Sequence, residues 1–473
     1  MQVKLKNSAG EMPFSSSALE LPLKSHNASD RHVILVDLYW TRDKDPRVPL
    51  GHASLLAALH EAGVSFTSIV RAVNEAAVDP EALAQDVMSI VLNRTGDVDV
   101  AIGAYVWGEE IIQVLLPSLR RLGFTGRIIL GGPQISYAGA GLESIYPQAD
   151  AFVRGYGEEA LVALAKQAGR PQIRGVHYVG EVDRKEQAEI DLGLIPSPWL
   201  GGAVPLANQR FIRWETQRGC PYACTFCQHR ESGKVARKRD LGLDRLLKEI
   251  ELFVQAGVAD IAVLDPVFNL GRNAVVILQA FARHGYRGRL SLQCRAESLT
   301  AEFLDAVGNL DVRLEFGLQT IHADEDKAVR RNNQLPKIEA ALAQVRARNI
   351  SHEVSLIFGL PEQTLDSFKA SVQWCIDRSV PVIKAFPLML LRGTQLDAER
   401  SRWALHENDE VMPVVVESNS FTTGDWAAMA KLSDALKKTE GEHPAKVTDL
   451  AEAKVSIEPE LGRWTPANVS ARA

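Results

Sequence analysis

The sequence predicts an α/β protein with two successive parallel sheets, the first doubly wound and the second a partial β/α barrel. Two observations predict it. Short apolar strands alternate with helices over residues 32–168, and a second alternating series begins near residue 214. A connector at residues 169–213, rich in proline and glycine, separates the two series. A chain of 473 residues is too long for one hydrophobic core, so more than one domain is expected.

The first series contains five apolar segments that are predicted to be strands. They cover residues 32–37, 64–70, 98–104, 127–130 and 150–154. Segments of this kind, separated by helices, are typical of a parallel sheet that is covered on both faces. Residues 1–31 show no clear periodicity and are predicted to form a loosely structured extension.

Ligands of a doubly wound sheet bind beyond the carboxyl ends of its strands. The candidate contacts are therefore the turns after the strands: Trp40, Thr41, Arg71, Tyr105, Val106, Trp107, Gly131, Gly132, Pro133, Gln134, Gly155, Tyr156, Gly157 and Glu158. No G-x-G-x-x-G follows the first strand, which argues against a dinucleotide site. Taken alone, these turns are equally consistent with a sheet that binds nothing, because glycine is common in turns.

The second series contains six predicted strands, which indicates a partial barrel of about six β/α units. The strands cover residues 212–216, 261–265, 290–294, 312–316, 353–358 and 381–386. In such a barrel, chemistry takes place at the carboxyl ends of the strands. Residues 401–473 are predicted to form a polar C-terminal region with one helix near residues 426–438 and a weakly ordered tail from residue 442.

Three of the five cysteines lie in a C-x3-C-x2-C segment directly after the first strand of the second series. Cys220, Cys224 and Cys227 could hold three irons of a four-iron, four-sulfur cluster and leave the fourth iron open. Structural zinc is the alternative, but it needs four ligands, and His229 follows Cys227 too closely to be the fourth. A disulfide framework is disfavoured because five cysteines in so long a chain is typical of a reducing compartment.

Composition excludes several classes of function. The net charge of −6 offers no electrostatic case for nucleic acid as a partner. No apolar run is long enough for a membrane span, and the N-terminal residues lack a secretory apolar core. These features predict a soluble, cytoplasmic protein that binds no membrane.

The cysteine spacing resembles the signature of the radical S-adenosylmethionine (SAM) superfamily. The order of the two domains over residues 32–400 resembles the members of that superfamily that carry a cobalamin-binding domain. The segments that carry this resemblance are residues 130–133, 153–159, 215–222, 265–269, 315–320 and 359–362. The resemblance implies a Rossmann-like cobalamin-binding domain at residues 32–168, a linker at 169–213, a radical SAM barrel at 214–400 and a C-terminal helical region at 401–473.

The resemblance also implies roles for single residues. Cys220, Cys224 and Cys227 would hold the cluster, and the turn residues of the first domain would contact cobalamin. The implied SAM contacts are Phe226, Asp265, Pro266, Arg295, Glu315, Gln319, Gly359, Leu360 and Pro361. The alternative for each of these is barrel packing or a surface ion pair.

Two residues have competing interpretations. The sequence has no D-x-H-x-x-G, so no histidine would coordinate cobalt from below, and the resemblance implies that Arg71 faces the cobalt without ligating it. The alternative for Arg71 is an exposed loop residue. Cys294 ends a barrel strand next to Arg295, so it is either a catalytic hydrogen donor or a buried small apolar residue. Cys375, on an apolar helix, is predicted to be packing.

The resemblance implies a cobalamin-dependent radical SAM methyltransferase that acts on an unactivated carbon of a small natural product or metabolite. One SAM would methylate cobalt, and a second SAM, cleaved at the 4Fe-4S cluster, would yield the radical that takes a hydrogen atom from the substrate. The electron for this cleavage would come from an external reductant of the flavodoxin or ferredoxin type. One alternative is radical dehydration, deoxygenation, rearrangement or cyclisation without methyl transfer. Another is a non-catalytic iron–sulfur or cobalamin-binding protein, which the SAM-related segments disfavour.

Overall fold

The computed structural model describes residues 31–42, 45, 48–75, 77–207, 209–229 and 239–452. Most of the predicted extension at residues 1–31, and the predicted tail beyond residue 452, lie outside this part of the chain. Within it, no helix is both long enough and apolar enough to cross a membrane.

The first domain alternates strands and helices from residue 32 onward, as predicted. Its strands are β1 (His32–Tyr39), β2 (Phe66–Ala72), β3 (Val98–Gly103), β4 (Arg127–Gly131), β5 (Ala151–Val153) and β6 (Val176–Tyr178). Its helices are α1 (Leu50–Glu61), α2 (Pro80–Leu92), α3 (Glu109–Arg121), α4 (Pro133–Ser136), α5 (Leu142–Ile145) and α6 (Gly157–Lys166).

The strands of this domain form one sheet in the order β2-β1-β3-β4-β5-β6, in which only β6 is antiparallel to its neighbour. Helices α1 and α6 cover one face, and α2 and α3 cover the other. Strand β1 is buried on both faces because Val33 and Leu35 alternate with Ile34 and Val36. The prediction of a doubly wound, mostly parallel sheet is confirmed.

Helix α1 lies between the two domains. Leu56 and Leu59 pack against the sheet, whereas Leu50 and Ala53 belong to the apolar core of the barrel. A helix with apolar residues on all sides is stable only where neighbours cover it on all sides. Because α1 packs into the cores of both domains, it fixes the position of the first domain against the second.

The second domain is the predicted partial barrel. Its strands are β7 (Phe211–Trp214), β8 (Gln217–Arg218), β9 (Arg239–Asp240), β10 (Asp260–Val263), β11 (Arg289–Cys294), β12 (Asp311–Gln319), β13 (Ser351–Phe358), β14 (Val382–Pro387), β15 (His406–Glu407) and β16 (Val415–Glu417). Its helices are α7 (Leu243–Gln255), α8 (Ala274–Arg283), α9 (Ala301–Val307), α10 (Ala323–Val329), α11 (Leu335–Ala347), α12 (Leu365–Asp377), α13 (Gln395–Ala398) and α14 (Thr423–Lys438).

The barrel sheet has the order β14-β13-β12-β11-β10-β7, and all neighbouring strands are parallel. In the described part of the chain, β7 and β14 do not pair with each other, so the barrel stays open on one side. Strand β12 alternates strictly: Leu314 and Phe316 are buried in the apolar core, whereas Glu315 and Gly317 are only partly buried on its other face. The predicted partial barrel of six β/α units is confirmed.

Three details differ from the sequence-based expectation. Strand β6 lies within the segment predicted to be only a connector, where its three residues are too short to give a periodic signal. Helix α14, in the region predicted to follow the barrel, packs on β14, where Ser433 donates a hydrogen bond to the Ala385 carbonyl at 2.8 Å. It therefore serves as the helix of the sixth unit. The tail predicted from residue 442 is packed as far as the structure describes it, because Leu450 is buried and the Val447 amide donates to Gln373.

Candidate active site

A cavity of about 460 Å³ opens at the carboxyl edge of the first sheet, on the side of the barrel. It lies beside β1 and β3, where the strand order reverses, which is the usual ligand position in open α/β sheets. Strands β1, β3, β4 and β5 and helices α1 and α6 form one wall. The second domain contributes Glu215, Arg218, Gly219, Gln228, His229 and Pro266. The two domains therefore share one cavity that reaches the cysteine loop.

Two glycines that line this cavity are required by the packing of the main chain. Gly132 and Gly155 have φ angles of 94° and 82°, which L side chains rarely adopt. A Cβ atom would lie 2.9 Å from the Ala104 carbonyl oxygen at the first position and 2.7 Å from the Ala188 carbonyl oxygen at the second. No side chain fits at either position, because the main chain of Ala104 or of Ala188 occupies the place of the Cβ atom.

Most of the predicted cobalamin contacts come together in this cavity. Tyr105, Gly131, Gly132, Pro133, Gly155, Gly157 and Glu158 all line it. Trp107 lies behind Tyr105: the two rings stack at 4.9 Å between centroids, and the Trp107 indole donates to the Leu38 carbonyl at 2.8 Å. Val106 begins the 3₁₀ turn that carries Trp107. These two residues position Tyr105 and do not line the cavity.

Two further predicted contacts lie away from the cavity. Arg71 forms an ion pair with Asp86 at 2.9 Å, because β2 is the edge strand of the sheet and its carboxyl end lies to one side of the cavity. This position agrees with the alternative interpretation of Arg71. Gln134 is buried between the domains, where its carbonyl accepts a hydrogen bond from Arg392 at 3.1 Å.

Sequence reasoning named Tyr105 but missed Asp37 and His52, which form the polar end of the cavity together with it. Oδ2 of Asp37 lies 3.6 Å from Nδ1 of His52, whose Nε2 is 2.7 Å from the Ser68 hydroxyl. Burial raises the pKa of Asp37 to about 7 and lowers the pKa of His52 to about 3. Burial, with the Asp37 and Glu158 carboxylates, raises the pKa of Tyr105. An acidic residue inside an apolar strand segment was the available signal.

The cysteine loop begins where β8 ends and is anchored through Thr225. The Thr225 amide donates to the Val329 carbonyl at 3.0 Å, and the Thr225 carbonyl accepts from the Leu396 amide at 2.9 Å. Phe226, next to it, packs partly buried against the barrel core. These contacts tie the loop to α10 and α13 and leave the three thiols partly buried at the barrel mouth.

The three thiols lie close enough to influence one another. Burial and the neighbouring Cys224 and Cys220 raise the pKa of Cys227 to about 11, and Arg331 opposes this shift. Nη1 of Arg331 lies 3.7 Å from Sγ of Cys224. In the described part of the chain, no group of three or more His, Cys, Asp or Glu side chains is arranged to hold a single metal ion. Thiolates of a four-iron cluster need not meet that criterion, because each binds a different iron.

A second guanidinium lies beside the cysteine loop. Arg295 is buried, pairs with Glu297 and lies over the Tyr222 ring at 4.3 Å from its centroid. Among the described residues, its Nε and Nη1 atoms have no hydrogen-bond partner, and neither has Oε1 of Gln319. Unpartnered buried donors carry a free-energy cost, which a bound anion such as a carboxylate would remove.

The other predicted SAM contacts are engaged within the protein. Asp265 is buried and accepts hydrogen bonds from the Thr216 and Gln217 amides at 2.8 and 3.2 Å, and burial raises its pKa to about 7. Pro266 lines the shared cavity. The amides of Gly359 and Leu360 donate to Oε1 of Gln363 at 2.7 and 3.3 Å, which closes the turn that leads into Pro361.

Glu315 and Cys294 lie deeper in the barrel. Burial and the nearby Glu353 raise the pKa of Glu315, while Lys384 lowers it. Cys294 is buried in the apolar core, with the same strand parity as Leu290 and Leu292. Its side chain therefore faces the core, as the packing interpretation expects. Cys375 is fully buried on α12.

The wall between the domains contains an ion pair that sequence reasoning also missed. Arg218, two residues before Cys220, contacts Glu158 of α6 at 2.8 Å and Glu215 at 2.7 Å. Burial raises the pKa of Glu158, but the pairing with Arg218 outweighs it and the pKa is lowered overall. Only the fold brings these residues together, because they lie 60 positions apart in the chain.

Comparison with known proteins identifies the second domain. The Radical SAM superfamily profile matches residues 214–375. The chain is 26% identical over 322 residues to 2-(S-pantetheinyl)-carbapenam-3-carboxylate methyltransferase from Streptantibioticus cattleyicolor, covering 62% of this chain and 47% of the relative. It is 26% identical over 304 residues to the cobalamin-dependent radical SAM methyltransferase TokK from Streptomyces tokunonensis, covering 58% of this chain and 44% of the relative. The matches thus span less than half of each relative.

The fold of both domains together is also known. The radical S-adenosylmethionine methyltransferase TsrM from Kitasatospora setae, solved with cobalamin and a [4Fe-4S] cluster bound, superposes with a TM-score of 0.62 at 18% identity. The superposition covers 84% of this chain and 81% of that one. At this identity the likeness establishes the two-domain fold.

Proposed function

Since residues 214–375 match the Radical SAM superfamily profile and the chain has the two-domain fold of a cobalamin-binding radical SAM methyltransferase, we propose that it is a cobalamin-dependent radical SAM methyltransferase. Its substrate would be a small molecule methylated at an unactivated carbon. The observation that carries this proposal is the shared cavity, whose walls join the carboxyl edge of the first sheet to the cysteine loop. Two cofactors that must react at one substrate need such a common space.

The cluster would be held by Cys220, Cys224 and Cys227. The soft thiol ligands suit iron, and Arg331 beside Cys224 would compensate the negative charge of thiolates and cluster. The Thr225 anchors fix the loop between α10 and α13, so the thiols are positioned before any ligand binds. When bound, the cluster and SAM supply the radical and cobalamin supplies the methyl group.

SAM would bind at the barrel mouth beside this loop. The unpartnered N–H groups of Arg295 fit the SAM carboxylate, and the unpartnered oxygen of Gln319 fits a hydroxyl or ammonium donor. Phe226 offers an apolar surface next to the cysteines. Glu315 and the turn at Gly359, Leu360 and Pro361 stay as further proposed contacts from the sequence resemblance.

Cobalamin would take the cavity of the first domain, with Tyr105, Gly131, Gly132, Pro133, Gly155, Gly157 and Glu158 as proposed contacts. The volume of about 460 Å³ is smaller than a whole corrinoid, so it would receive one part of the cofactor and leave the rest toward the barrel. The unpartnered Oδ1 of Asp37 fits a ligand with polar groups. Arg71 would need to leave Asp86 to reach such a ligand.

The partners would be the small-molecule substrate and an external one-electron reductant of the flavodoxin or ferredoxin type. A cluster at a partly buried loop, near the mouth of the barrel, is open to such an electron donor. A partly exposed cluster needs a reducing compartment, so we expect the protein to act in the cytoplasm. The net charge of −6 gives no support to a nucleic-acid substrate.

The first test is the cofactor content of protein purified anaerobically from cobalamin-fed cells. We expect near-stoichiometric cobalamin and four irons per chain, and SAM cleavage after chemical reduction. Cys220→Ala, Cys224→Ala and Cys227→Ala should each abolish cleavage, because each removes one iron ligand. Cys375→Ala, a cysteine buried in α12 away from the loop, is the matched control and should retain it. Cleavage by any of the three loop variants would exclude the proposed cluster site.

Product analysis then tests methyl transfer. With methyl-labelled SAM, a product that carries the label on carbon supports the proposed reaction. An intact cluster and active SAM cleavage without cobalamin would exclude it and would leave a radical reaction without methyl transfer.

A further inference from the structure

Asp37 is the one acidic side chain of β1, and it lines the cavity of the first domain at the carboxyl end of that strand. Only 4% of its surface is exposed. Among the described residues, its Oδ1 atom has no hydrogen-bond partner. A buried polar atom without a partner carries a free-energy cost, so its presence in a cavity wall points to a ligand that supplies the partner.

Among the residues that the structure describes, no cation pairs with Asp37. His52 of α1 faces its other oxygen but stays neutral, because burial lowers the pKa of His52 to about 3. Tyr105, after β3, and Glu158 of α6 line the same cavity and add acidic groups. Arg218 of β8 is held by Glu158 and Glu215. Burial therefore raises the pKa of Asp37 to about 7, and at neutral pH much of it is a carboxylic acid with an O–H donor.

Building on the proposed function, we propose that Asp37 is a neutral acid that donates a hydrogen bond to the part of cobalamin inside this cavity, so that affinity falls as the pH rises. Cobalamin offers several acceptors: amide carbonyls, phosphodiester oxygens and the free ring nitrogen of its nucleotide base. Each of these can accept from a carboxylic acid. Cobalamin also carries amide N–H donors, which would pair with a carboxylate, but the buried and acidic surroundings of Asp37 favour its acid form and therefore an acceptor on the ligand. Asp37 would thus be a positioning and specificity residue for the cofactor.

The sign of the pH effect follows from linkage. A ligand that accepts from the protonated acid raises the pKa of Asp37 above its value in the free protein. Below about pH 6, Asp37 is protonated in both the free and the cobalamin-bound protein, so the affinity is constant. Above about pH 7 the protein must take up a proton on binding, so Kd rises roughly tenfold for each pH unit.

The other groups of the cavity do not produce this effect. The pKa of His52 is lowered by burial, and that of Glu158 is lowered by Arg218. The pKa of Tyr105 is raised by burial and by the Asp37 and Glu158 carboxylates, and that of His229 is lowered by burial. Their charges are therefore constant over the range in which Asp37 titrates.

The experiment measures methylcobalamin binding to the full chain in the dark, by equilibrium ultrafiltration, from about pH 6 to about pH 8.5. Methylcobalamin is the probe because its upper ligand does not titrate in this range. For the wild type we expect Kd to rise more than roughly tenfold across the range. Asp37→Asn keeps an N–H donor but cannot ionise, so its Kd should be independent of pH and close to the wild-type value at the acidic end. Asp366→Asn, an exposed acid paired with Lys369 on α12, is the matched control and should keep the wild-type pH dependence.

Calorimetry of the wild type alone gives a second readout that does not depend on the variant folding. Titrations at about pH 8, in buffers of different ionisation enthalpy, should show uptake of close to one proton per methylcobalamin bound. Equal pH dependence in wild type and Asp37→Asn, or affinity that rises with pH, would overturn the role of Asp37 and leave the proposed function intact. Absence of cobalamin binding at every pH would overturn the proposed function itself.

Discussion

A single buried carboxylate, Asp265, holds the entrance of the cysteine loop in place. One oxygen accepts from the Thr216 and Gln217 amides, and the other accepts from the Thr216 hydroxyl. The bonds join the residues after β10 to Thr216 and to the start of β8, three to four residues before the first cysteine of the loop. The structure therefore favours a supporting role for Asp265, whereas the sequence resemblance implied a direct SAM contact.

Two substitutions at Asp265 separate these roles. Asp265→Asn keeps one carbonyl oxygen for the amides, so we expect SAM affinity and iron content close to wild type. Asp265→Leu leaves buried amides without an acceptor and should lower the free energy of unfolding by about 2–4 kcal/mol, with loss of iron. Denaturant unfolding, iron analysis and SAM binding measure these effects. A loss of SAM affinity of tenfold or more in a well-folded Asp265→Asn protein would favour the direct contact.

At the scale of elements, the segment after β14 joins the barrel to the first domain. Gly393 lies against α4 and the turn after it, with a φ angle of 69°. A Cβ atom at this position would lie 1.9 Å from the Tyr137 carbonyl oxygen. The Tyr137 hydroxyl donates to the Gln228 carbonyl directly after the cysteine loop. The close approach at Gly393 therefore also sets the distance between the first domain and the cysteine loop.

The substitution Gly393→Ala tests this contact. We expect it to lower the free energy of unfolding by at least about 2 kcal/mol more than Gly257→Ala. Gly257 is the matched control because its φ angle is 68° and nothing lies within 4 Å of its added Cβ. That variant measures backbone strain alone, about 1 kcal/mol. Denaturant unfolding gives the difference, and faster proteolysis of the connector in Gly393→Ala would report a loosened contact. Equal losses of unfolding free energy in both variants would mean that the contact between Gly393 and Tyr137 relaxes without a free-energy cost.

The sequence predicted long elements better than short ones. The five strands of the first sheet and the six of the barrel were predictable because each is a run of apolar residues between turn signals. Strand β6 is held by pairing with β5 and not by its own three residues. Helix α14 was predicted as a helix, but its place in the barrel depends on packing against β14, which no local pattern encodes.

Site residues that lie on one short segment were also easier to predict than residues that meet only in the folded protein. Residues on one short loop, such as the three cysteines, and turns after strands, such as Gly131 and Gly132, could be named from the sequence. Arg218 could not be assigned to Glu158, because that pair exists only when the two domains meet. The sequence could not decide between the two interpretations of Arg71, since it did not reveal that β2 would be an edge strand.

At the scale of the whole molecule, the two domains are joined by apolar and charged contacts around the shared cavity. Helix α1 contributes Leu50 and Ala53 to the barrel core, and Ser54, on the same helix, donates to Glu158 at 3.0 Å. Arg218 completes this cluster from the second domain and also lies at 5.2 Å from the centroid of the Tyr156 ring. The first domain is therefore linked by ion pairs to the residues that lead into the cysteine loop.

A double-mutant cycle on Arg218 and Glu158 tests whether this ion pair joins the domains. Arg218→Met leaves Glu158 buried without its cation and should lower the free energy of unfolding by roughly 3–5 kcal/mol. Glu158→Met should cost less, because Arg218 keeps Glu215 as a partner. In the double variant Glu158 is no longer stranded, and Glu215 lacks Arg218 in both variants, so we expect the double variant to be more stable than Arg218→Met alone, with a coupling energy of about 1–3 kcal/mol. Additive losses would mean that the two side chains act independently and that the apolar contacts of α1 alone hold the domains together.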